Sequence, residues 1–230
     1  MDDGGMAAPR PHDWSIEGRE YARQEARRGR RYAYDDLDPA RTALVVVDMV
    51  PFFADAGPYF RGVVPNINAL AGALRDAGGT VAWVLPAVGP PSDWAVGFFG
   101  DSVAAMFAAS GGVGSPRERL WHELDARAGD VWAEKSASSA FFPGRSTLPA
   151  GLADRDVDTL LITGVVTSVC CESTARDAAT LGYRVVFVAD GTADVRDSVH
   201  NATLRTVYRT FGDVRSTADA LGMIAGGASK

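Results

Sequence analysis

The chain has two cysteines, Cys170 and Cys171, and they are adjacent. They lie in LLITGVVTSVCCESTARDA (160–178), where an apolar run and a glycine are followed by a helical pattern. A helix N-terminus or a nearby cation lowers the pKa of a thiol and makes it a better nucleophile. Neighbouring residues of a helix point about 100° apart. Only one of the two cysteines can therefore face a site, and spacing alone does not say which.

Two charged residues end other apolar segments of the chain. Asp48 follows the run beginning at Thr42, and Lys135 ends DVWAEK (130–135). Taken singly, each is most often a turn or solvated residue, and a lone cysteine is most often a small hydrophobe. Ligands of open α/β sheets bind outside the carboxyl ends of the strands, so Asp48, Lys135 and Cys170 are expected at one edge. There Lys135 would favour the thiolate, while Asp48 would take the thiol proton and return it to a leaving amine.

Strand patterns alternate with helix patterns from residue 42 onward, which predicts βαβ units with helices on both faces of a sheet. The expected fold is α/β, a three-layer α/β/α arrangement with a doubly wound, mostly parallel six-stranded sheet. The fifth strand is expected to end at Asp190, and residues 87–116 to form irregular loops that set specificity. The predicted strands are TALVVVDM (42–49), TVAWVLPA (80–87), DVWAEK (130–135), DTLLITG (158–164), YRVVFVAD (183–190) and a short one in DVRST (213–217); the predicted helices are 64–79, 168–182 and 197–212.

Composition limits the classes of partner and compartment. The chain has 230 residues, 47% hydrophobic, and a formal net charge of −6, which argues against nucleic acid or an anionic membrane as the main partner. No segment resembles a signal peptide or a membrane span. Adjacent cysteines cannot form a disulfide framework, so a reducing, cytoplasmic setting is expected.

The first 42 residues differ in composition from the rest. GREYARQEARRGRRYAYDDLDPAR (18–41) is basic and then acidic, without a strong apolar stripe. We expect residues 1–42 to be an N-terminal arm, either solvated or a short helix on the body or on a neighbouring subunit. Residues 43–225 would then form the catalytic domain.

Four segments resemble the isochorismatase-like cysteine hydrolases, a superfamily that includes N-carbamoylsarcosine amidases and ureidoacrylate amidohydrolases. They are ALVVVDMVPFF (43–53), EKSASSAFF (134–142), LLITGVVTSVCCESTARDA (160–178) and GYRVVFVADG (182–191). The resemblance, over roughly residues 40–222, implies a Rossmann-like fold and a hydrolase that cleaves a carboxamide or ureido C–N bond through a cysteine thioester. It implies an Asp48–Lys135–Cys170 triad, because the family has a small apolar residue where Cys171 stands.

The same resemblance implies further features of the site. A non-proline cis peptide bond is expected at Val165–Val166, and the N–H groups of Val166 and Cys170 would form an oxyanion hole. The family often has glutamine where Val50 stands, so one polar contact near the nucleophile is expected to be missing. Family members also assemble, which implies a homo-oligomer, either a dimer or a tetramer.

Candidate substrate contacts are less specific. Phe53 and Phe141 match family positions near the site, and Trp83 and Val165 lie in or beside the predicted strand ends. Core packing is at least as good an explanation for each aromatic residue. No arginine or lysine clamp is evident in the sequence, which favours an uncharged or weakly polar small molecule.

Nicotinamidases carry a D-x-H metal motif after the second strand, and the corresponding VAWVLPAVGPP (81–91) has none. We therefore predict no metal and no cofactor. One alternative is a catalytically silent binding protein of the same fold. A second is an isochorismatase-type vinyl-ether hydrolase, which the presence of Cys170 disfavours. A papain-like Cys–His pair is a third, but His12, His122 and His200 do not end predicted strands.

Overall fold

The computed structural model describes residues 8–54 and 57–228, and six parallel strands form the sheet at its centre. The strand order is β3-β2-β1-β4-β5-β6, a doubly wound arrangement that reverses direction between β1 and β4. This confirms the predicted fold class, with every strand pairing parallel. The strands are β1 Thr42–Val47, β2 Thr80–Pro86, β3 Val131–Lys135, β4 Thr159–Val165, β5 Arg184–Ala193 and β6 Asp213–Arg215.

Helices flank both faces of the sheet. Residues 87–116, expected to be irregular, contain two helices and the start of a third, and the carboxyl-terminal helix was not predicted at all. The helices are α1 Gly18–Arg28, α2 Pro51–Ala54, α3 Pro58–Gly62, α4 Val64–Asp76, α5 Asp93–Phe99, α6 Asp101–Ala108, α7 Pro116–Arg119, α8 Leu148–Ala153, α9 Glu172–Thr180, α10 Asp197–Thr210 and α11 Thr217–Ala228, with a 3-10 turn at Pro39–Arg41 and a π-helical turn at Thr167–Cys171.

Strand β1 shows how the two cores form. All six of its residues are buried, and successive side chains point to opposite faces. Leu44 and Val46 join the core that includes α4 and α11, whereas Val45 and Val47 join the core that includes α9 and α10. A central strand covered on both faces accounts for its continuous apolar sequence.

Strand β5 is longer than predicted and continues to Ala193, three residues beyond Asp190. Asp190 does not end the strand, so that expectation was wrong. Its Oδ1 accepts hydrogen bonds from the backbone N–H and the hydroxyl of Thr217, at 2.6 and 2.8 Å. Asp190 therefore holds the start of α11 instead of belonging to the predicted edge.

The described part of the N-terminal segment lies on the body. Helix α1 packs against α10, and the Gln24 amide donates to the carbonyls of Tyr208 and Arg209. His12 is buried, 4% exposed, and its ring stacks on Tyr59 at 3.9 Å between centroids. Of the predicted forms of the arm, the short helix on the body is the one observed.

Gly164 tests how tightly β1 and β4 pack beside the predicted site. It has φ +102°, and a Cβ there would collide with the backbone of Val47. Gly164→Ala should destabilise the fold by about 2–5 kcal/mol, because strain and overpacking add. Gly72→Ala is the matched control: it lies in α4 with open space around it, and alanine there should stabilise by about 0.5–1 kcal/mol. Urea denaturation measures both, and equal midpoints for the two variants would contradict this packing.

Candidate active site

Asp48 follows β1 in a left-handed backbone conformation, with φ 53°. Aspartate tolerates this region better than most residues, and such strain concentrates at functional sites. The Asp48 N–H donates to the Val84 carbonyl at 2.8 Å, so the neighbouring strand β2 holds the turn. The side chain is nearly excluded from solvent, and its Oδ1 has no hydrogen-bond partner among the described residues. The site therefore contains a buried acceptor free to take a proton.

Lys135 ends β3 and is 5% exposed. Its ammonium lies 2.7 Å from Asp48 Oδ2 and donates to Cys170 Sγ at 3.4 Å and to the Ala137 carbonyl at 3.2 Å. An ammonium has three N–H donors, and these contacts account for all of them. The structure thus brings Asp48, Lys135 and Cys170 together through one lysine.

The structure distinguishes the two cysteines. Cys170 is partly exposed and lines a cleft, whereas Cys171 is fully buried in the core beneath α9. Cys171 Sγ lies 3.8 Å from the carbonyl oxygen of Thr163. Cys170 is therefore the only one of the two thiols that a small molecule in the cleft can reach.

The pKa of Cys170 differs from the expectation. Burial and the Asp48 carboxylate raise the pKa of the Cys170 thiol to about 12, and Lys135 only partly offsets them. A lowered pKa was expected from the helix start and the cation, and that expectation was wrong, because desolvation outweighs the cation. The resting nucleophile is a thiol that needs a base.

The charges of Asp48 and Lys135 depend on each other. Burial raises the pKa of Asp48, and Lys135 and the Cys170 thiol counteract part of that rise. Burial also disfavours the ammonium of Lys135, but the Asp48 and Cys170 side chains outweigh it, so the pKa of Lys135 is raised. Lys135 therefore stays protonated and helps to hold Asp48 in its ionised, proton-accepting form.

The turn that carries Cys170 is anchored by residues that the sequence analysis missed. The Ser168 N–H donates to Asp194 Oδ2 at 2.8 Å, and the Thr167 hydroxyl contacts His200 Nδ1 at 2.9 Å. His12 in turn accepts from the Asp194 N–H at 2.9 Å. The Val165–Val166 peptide bond, at the start of this turn, is cis. Asp194 follows the extension of β5 that was not predicted. Its partner His12 lies in the arm, so the sequence pattern contained no signal for either residue.

His200 does not form a papain-like pair. Burial and the neighbouring His12 lower its pKa to about 3, so the ring is neutral. It stacks on His12 at 4.3 Å and contacts Thr167, not the nucleophile. His122 lies beside Trp121. His12 and His200 therefore support the turn, and among the described residues none of the three histidines forms a hydrogen bond with Cys170.

A cleft of about 620 Å³ opens at the carboxyl edge of the sheet, and Asp48, Lys135 and Cys170 lie in its wall. This volume suits a small molecule. The segment after β2 supplies much of the remaining wall, including Trp94 of α5 and Phe107 of α6. Its position agrees with the expected role of residues 87–116 in specificity.

The four candidate substrate contacts have different positions. Phe53 lines the cleft, but Trp83, Phe141 and Val165 do not. Trp83 is fully buried, and its indole N–H donates to Asp130 at 2.8 Å. Phe141 packs against Tyr183 in the core, and Val165 is buried at the end of β4. Packing covers these three side chains and keeps them out of the wall of this cleft, and their contact with a substrate stays a prediction.

Arg145 also lines the cleft, contrary to the expectation that no arginine or lysine clamp is present. It is the third residue after EKSASSAFF (134–142), in Pro143-Gly144-Arg145. The Pro-Gly pair is a turn signal that could have placed it near Lys135.

Over residues 8–54 and 57–228, no group of three or more histidine, cysteine or acidic side chains is arranged to hold a metal ion. Over the same residues, no helix has both the length and the apolar character needed to cross a membrane.

The comparisons with known proteins identify the family. The family model described as "Isochorismatase domain" matches residues 42–219, which is most of the chain. The chain therefore belongs to the isochorismatase family and is an isochorismatase-family hydrolase.

Its relatives and structural neighbours include named enzymes. The chain is 30% identical to the uncharacterized isochorismatase family protein YwoC of Bacillus subtilis, over 81% of this chain and 95% of that protein. It is 29% identical to the ureidoacrylate amidohydrolase RutB of Pseudomonas savastanoi pv. phaseolicola, over 80% of this chain and 83% of that protein. A cysteine hydrolase from Pseudomonas syringae pv. phaseolicola has a similar structure, with a TM-score of 0.73 and 26% sequence identity. The match covers 85% of this chain and 97% of that one. The structure of an N-carbamoylsarcosine amidase from Thermoplasma acidophilum matches with a TM-score of 0.61 and 26% sequence identity. The match covers 77% of this chain and 96% of that one.

Thiol labelling checks the exposure and the pKa of Cys170. Iodoacetamide should modify Cys170 alone, because Cys171 is fully buried. A raised pKa leaves the reactive thiolate scarce at neutral pH, so the rate should still climb above roughly pH 9, where a free cysteine has largely ionised. Peptide mass spectrometry locates the label and quenched time courses give the rate. A rate that levels off near neutral pH would show that the pKa of Cys170 is lowered instead.

Proposed function

We propose that the protein hydrolyses a carboxamide or ureido C–N bond of a small molecule through a thioester on Cys170. The observation that carries this proposal is the contact series in one cleft: Cys170 Sγ to Lys135 Nζ at 3.4 Å, and Lys135 Nζ to Asp48 Oδ2 at 2.7 Å. A nucleophile beside a cation and a carboxylate is the arrangement that acyl transfer requires.

In the first half-reaction, Cys170 Sγ attacks the carbonyl carbon and the thiol proton passes to Asp48. Asp48 is suited to this because its buried Oδ1 has no hydrogen-bond partner within residues 8–54 and 57–228, and Lys135 favours its ionised form. The C–N bond then breaks, and Asp48 gives the proton to the departing ammonia or amine. The raised pKa of the resting thiol fits a base that acts during attack and not before it.

The carbonyl oxygen gains negative charge during attack and needs donors. We assign this role to the N–H groups of Val166, which precedes the π-helical turn Thr167–Cys171, and of Cys170, which lies within it. Backbone donors at the start of a helix favour an anion, and one such donor is typically worth about 3–4 kcal/mol of barrier. Asp194 and His12 would act as positioning residues by holding this turn.

In the second half-reaction, water hydrolyses the thioester. Asp48 accepts a proton from the attacking water and returns it to the Cys170 sulfur as the C–S bond breaks. This step releases a carboxylic acid from an amide substrate or a carbamic acid from a ureido substrate. Lys135 is an ammonium in the resting site, because the Asp48 and Cys170 side chains raise its pKa, and it takes no part in the proton transfers. Every proton is thus returned without a metal or a cofactor in the cycle.

The names of similar proteins favour a ureido or amide substrate. One relative is named ureidoacrylate amidohydrolase and one structural neighbour N-carbamoylsarcosine amidase. A vinyl-ether hydrolase and a silent binding protein are the alternatives, and neither calls for a thiol held against an ammonium and a carboxylate.

We also propose a homo-oligomer in a reducing, cytoplasmic setting. Cys170 and Cys171 are both free thiols, as a reducing compartment would keep them. Trp94 and Phe98 of α5 are 67% and 69% exposed and stack on each other, and such apolar patches are typical of subunit contacts. Sedimentation velocity should show a dimer or larger species, and a monomer at micromolar concentration would contradict this assembly.

Substitution of the nucleophile is the principal test of the mechanism. Cys170→Ala should lower ammonia release at least about 10³-fold, because no other group can form the thioester. Cys171→Ala is the matched control and should stay within about tenfold of wild type, since its sulfur contacts only the core. Release is measured over a panel of amides, ureido acids and biuret. Wild-type turnover by Cys170→Ala on any of these compounds would refute the thioester mechanism. Turnover of a vinyl ether by that variant would favour the isochorismatase-type alternative.

A further inference from the structure

A short turn places an arginine beside the candidate active site. In Phe142-Pro143-Gly144-Arg145, the Arg145 N–H donates to the Phe142 carbonyl at 3.1 Å, and Gly144 has φ +70°. Proline at the second position and a left-handed glycine at the third are the features of a type II turn. The sequence therefore fixes the backbone that precedes Arg145.

The segment leaving this turn pairs with the end of β3. Lys135 forms an antiparallel bridge with Ser146, and the Ser136 N–H donates to the Arg145 carbonyl at 2.8 Å. Residues opposite each other in such a pair have Cα atoms about 5 Å apart. Arg145 is thus held opposite Ser136, the residue that follows the lysine in contact with the nucleophile.

The guanidinium of Arg145 is oriented on one side only. Its Nε donates to Ser136 Oγ at 2.8 Å and one terminal nitrogen donates to the Ser136 carbonyl at 2.9 Å. Over residues 8–54 and 57–228, no carboxylate forms an ion pair with it and the other terminal nitrogen has no hydrogen bond. The side chain is exposed and borders the cleft. The guanidinium is therefore held in a fixed orientation, and its second terminal nitrogen remains available to donate hydrogen bonds to a ligand.

The charge balance of the cleft points to an anion. Three charged residues line it: Asp48, Lys135 and Arg145. The first two pair at 2.7 Å, so two cations against one anion leave a net charge of +1, carried by Arg145. A single positive charge matches a monoanion, and a planar guanidinium matches the two oxygens of a carboxylate.

We infer that Arg145 binds a carboxylate of the substrate, so that the molecule cleaved at Cys170 is a monoanionic amide or ureido acid. This inference rests on the proposed function, because it places the scissile carbonyl at Cys170. The walls near the site are apolar at Phe53, Trp94 and Phe107. They would cover a short hydrocarbon segment between the carbonyl and the carboxylate, which fits a small N-carbamoyl amino acid.

Matched charged and neutral probes test this assignment. The acids are ureidoacetate, 3-ureidopropionate and 4-ureidobutyrate. Each is compared with its primary amide by release of carbon dioxide from the ureido carbon, because ammonia could also come from the primary amide. The wild type should prefer at least one acid by about tenfold or more in kcat/KM. In Arg145→Gln the ratio of acid to amide should fall towards one, mainly through a rise of about 10–100-fold in KM for the acid. Arg145→Lys should restore part of the preference, because it keeps the charge but not the fork.

Arg155→Gln is the control for net charge. Arg155 is an exposed arginine at the end of α8 that donates to the Gly151 carbonyl, and it does not line the cleft. It should keep the wild-type ratio of acid to amide. An equal loss of preference in Arg155→Gln would show a general field effect and overturn the assignment to Arg145.

A binding measurement separates this inference from the proposed function. Calorimetric titration of Cys170→Ala with the same acids and amides needs no turnover, and the double variant with Arg145→Gln shows the contribution of the guanidinium. Acid binding that depends on Arg145, without hydrolysis by the wild type, would support the carboxylate site and refute the C–N hydrolase. Hydrolysis without preference for the acids would support the C–N hydrolase and refute the carboxylate site at Arg145. If the acids neither bind nor react, the assignment of Arg145 is wrong.

Discussion

The buried ion pair between Lys135 and Asp48 is the interaction on which the rest of the site depends. Both side chains are at most 5% exposed, and their charged atoms lie 2.7 Å apart. Removing one partner of such a pair typically costs about 3–5 kcal/mol, because the other charge is left uncompensated in a poorly solvated place. A hydrophobic pair would cost less to bury, so retention of two charges here is best explained by the chemistry they do together.

The fold supplies this pair by bringing together the ends of non-adjacent strands. Asp48 follows the central strand β1, Lys135 ends the edge strand β3, and Cys170 follows β4 on the other side of β1. The sheet reverses its winding between β1 and β4, which is where open α/β sheets leave a crevice. The lysine therefore reaches across β2 to hold both the carboxylate and the thiol, and no single segment of the chain contains the site.

The sequence was sufficient for the features that depend on local periodicity and strand ends. Apolar runs predicted the β-strands and their order in the chain. The polar residues at the ends of two of these strands, Asp48 and Lys135, were correctly expected at the carboxyl edge of the sheet, but the same reasoning failed for Asp190. The sequence was insufficient where tertiary packing decides. Trp83 and Phe141 have the same aromatic character as Phe53, yet only Phe53 lines the cleft. The raised pKa of Cys170 also depends on burial, which spacing cannot report, and the contacts of His12 with Asp194 join residues 182 positions apart.

Replacement of Asp48 by asparagine tests most directly whether the buried carboxylate both raises the thiol pKa and serves as the base. Asp48 raises the pKa of Cys170, so its neutral amide should lower that pKa and leave Lys135 beside a more acidic thiol. Iodoacetamide should therefore label Cys170 faster at neutral pH in Asp48→Asn than in wild type, while ammonia release falls at least about 10²-fold for want of a base. Slower labelling together with retained turnover would contradict the account.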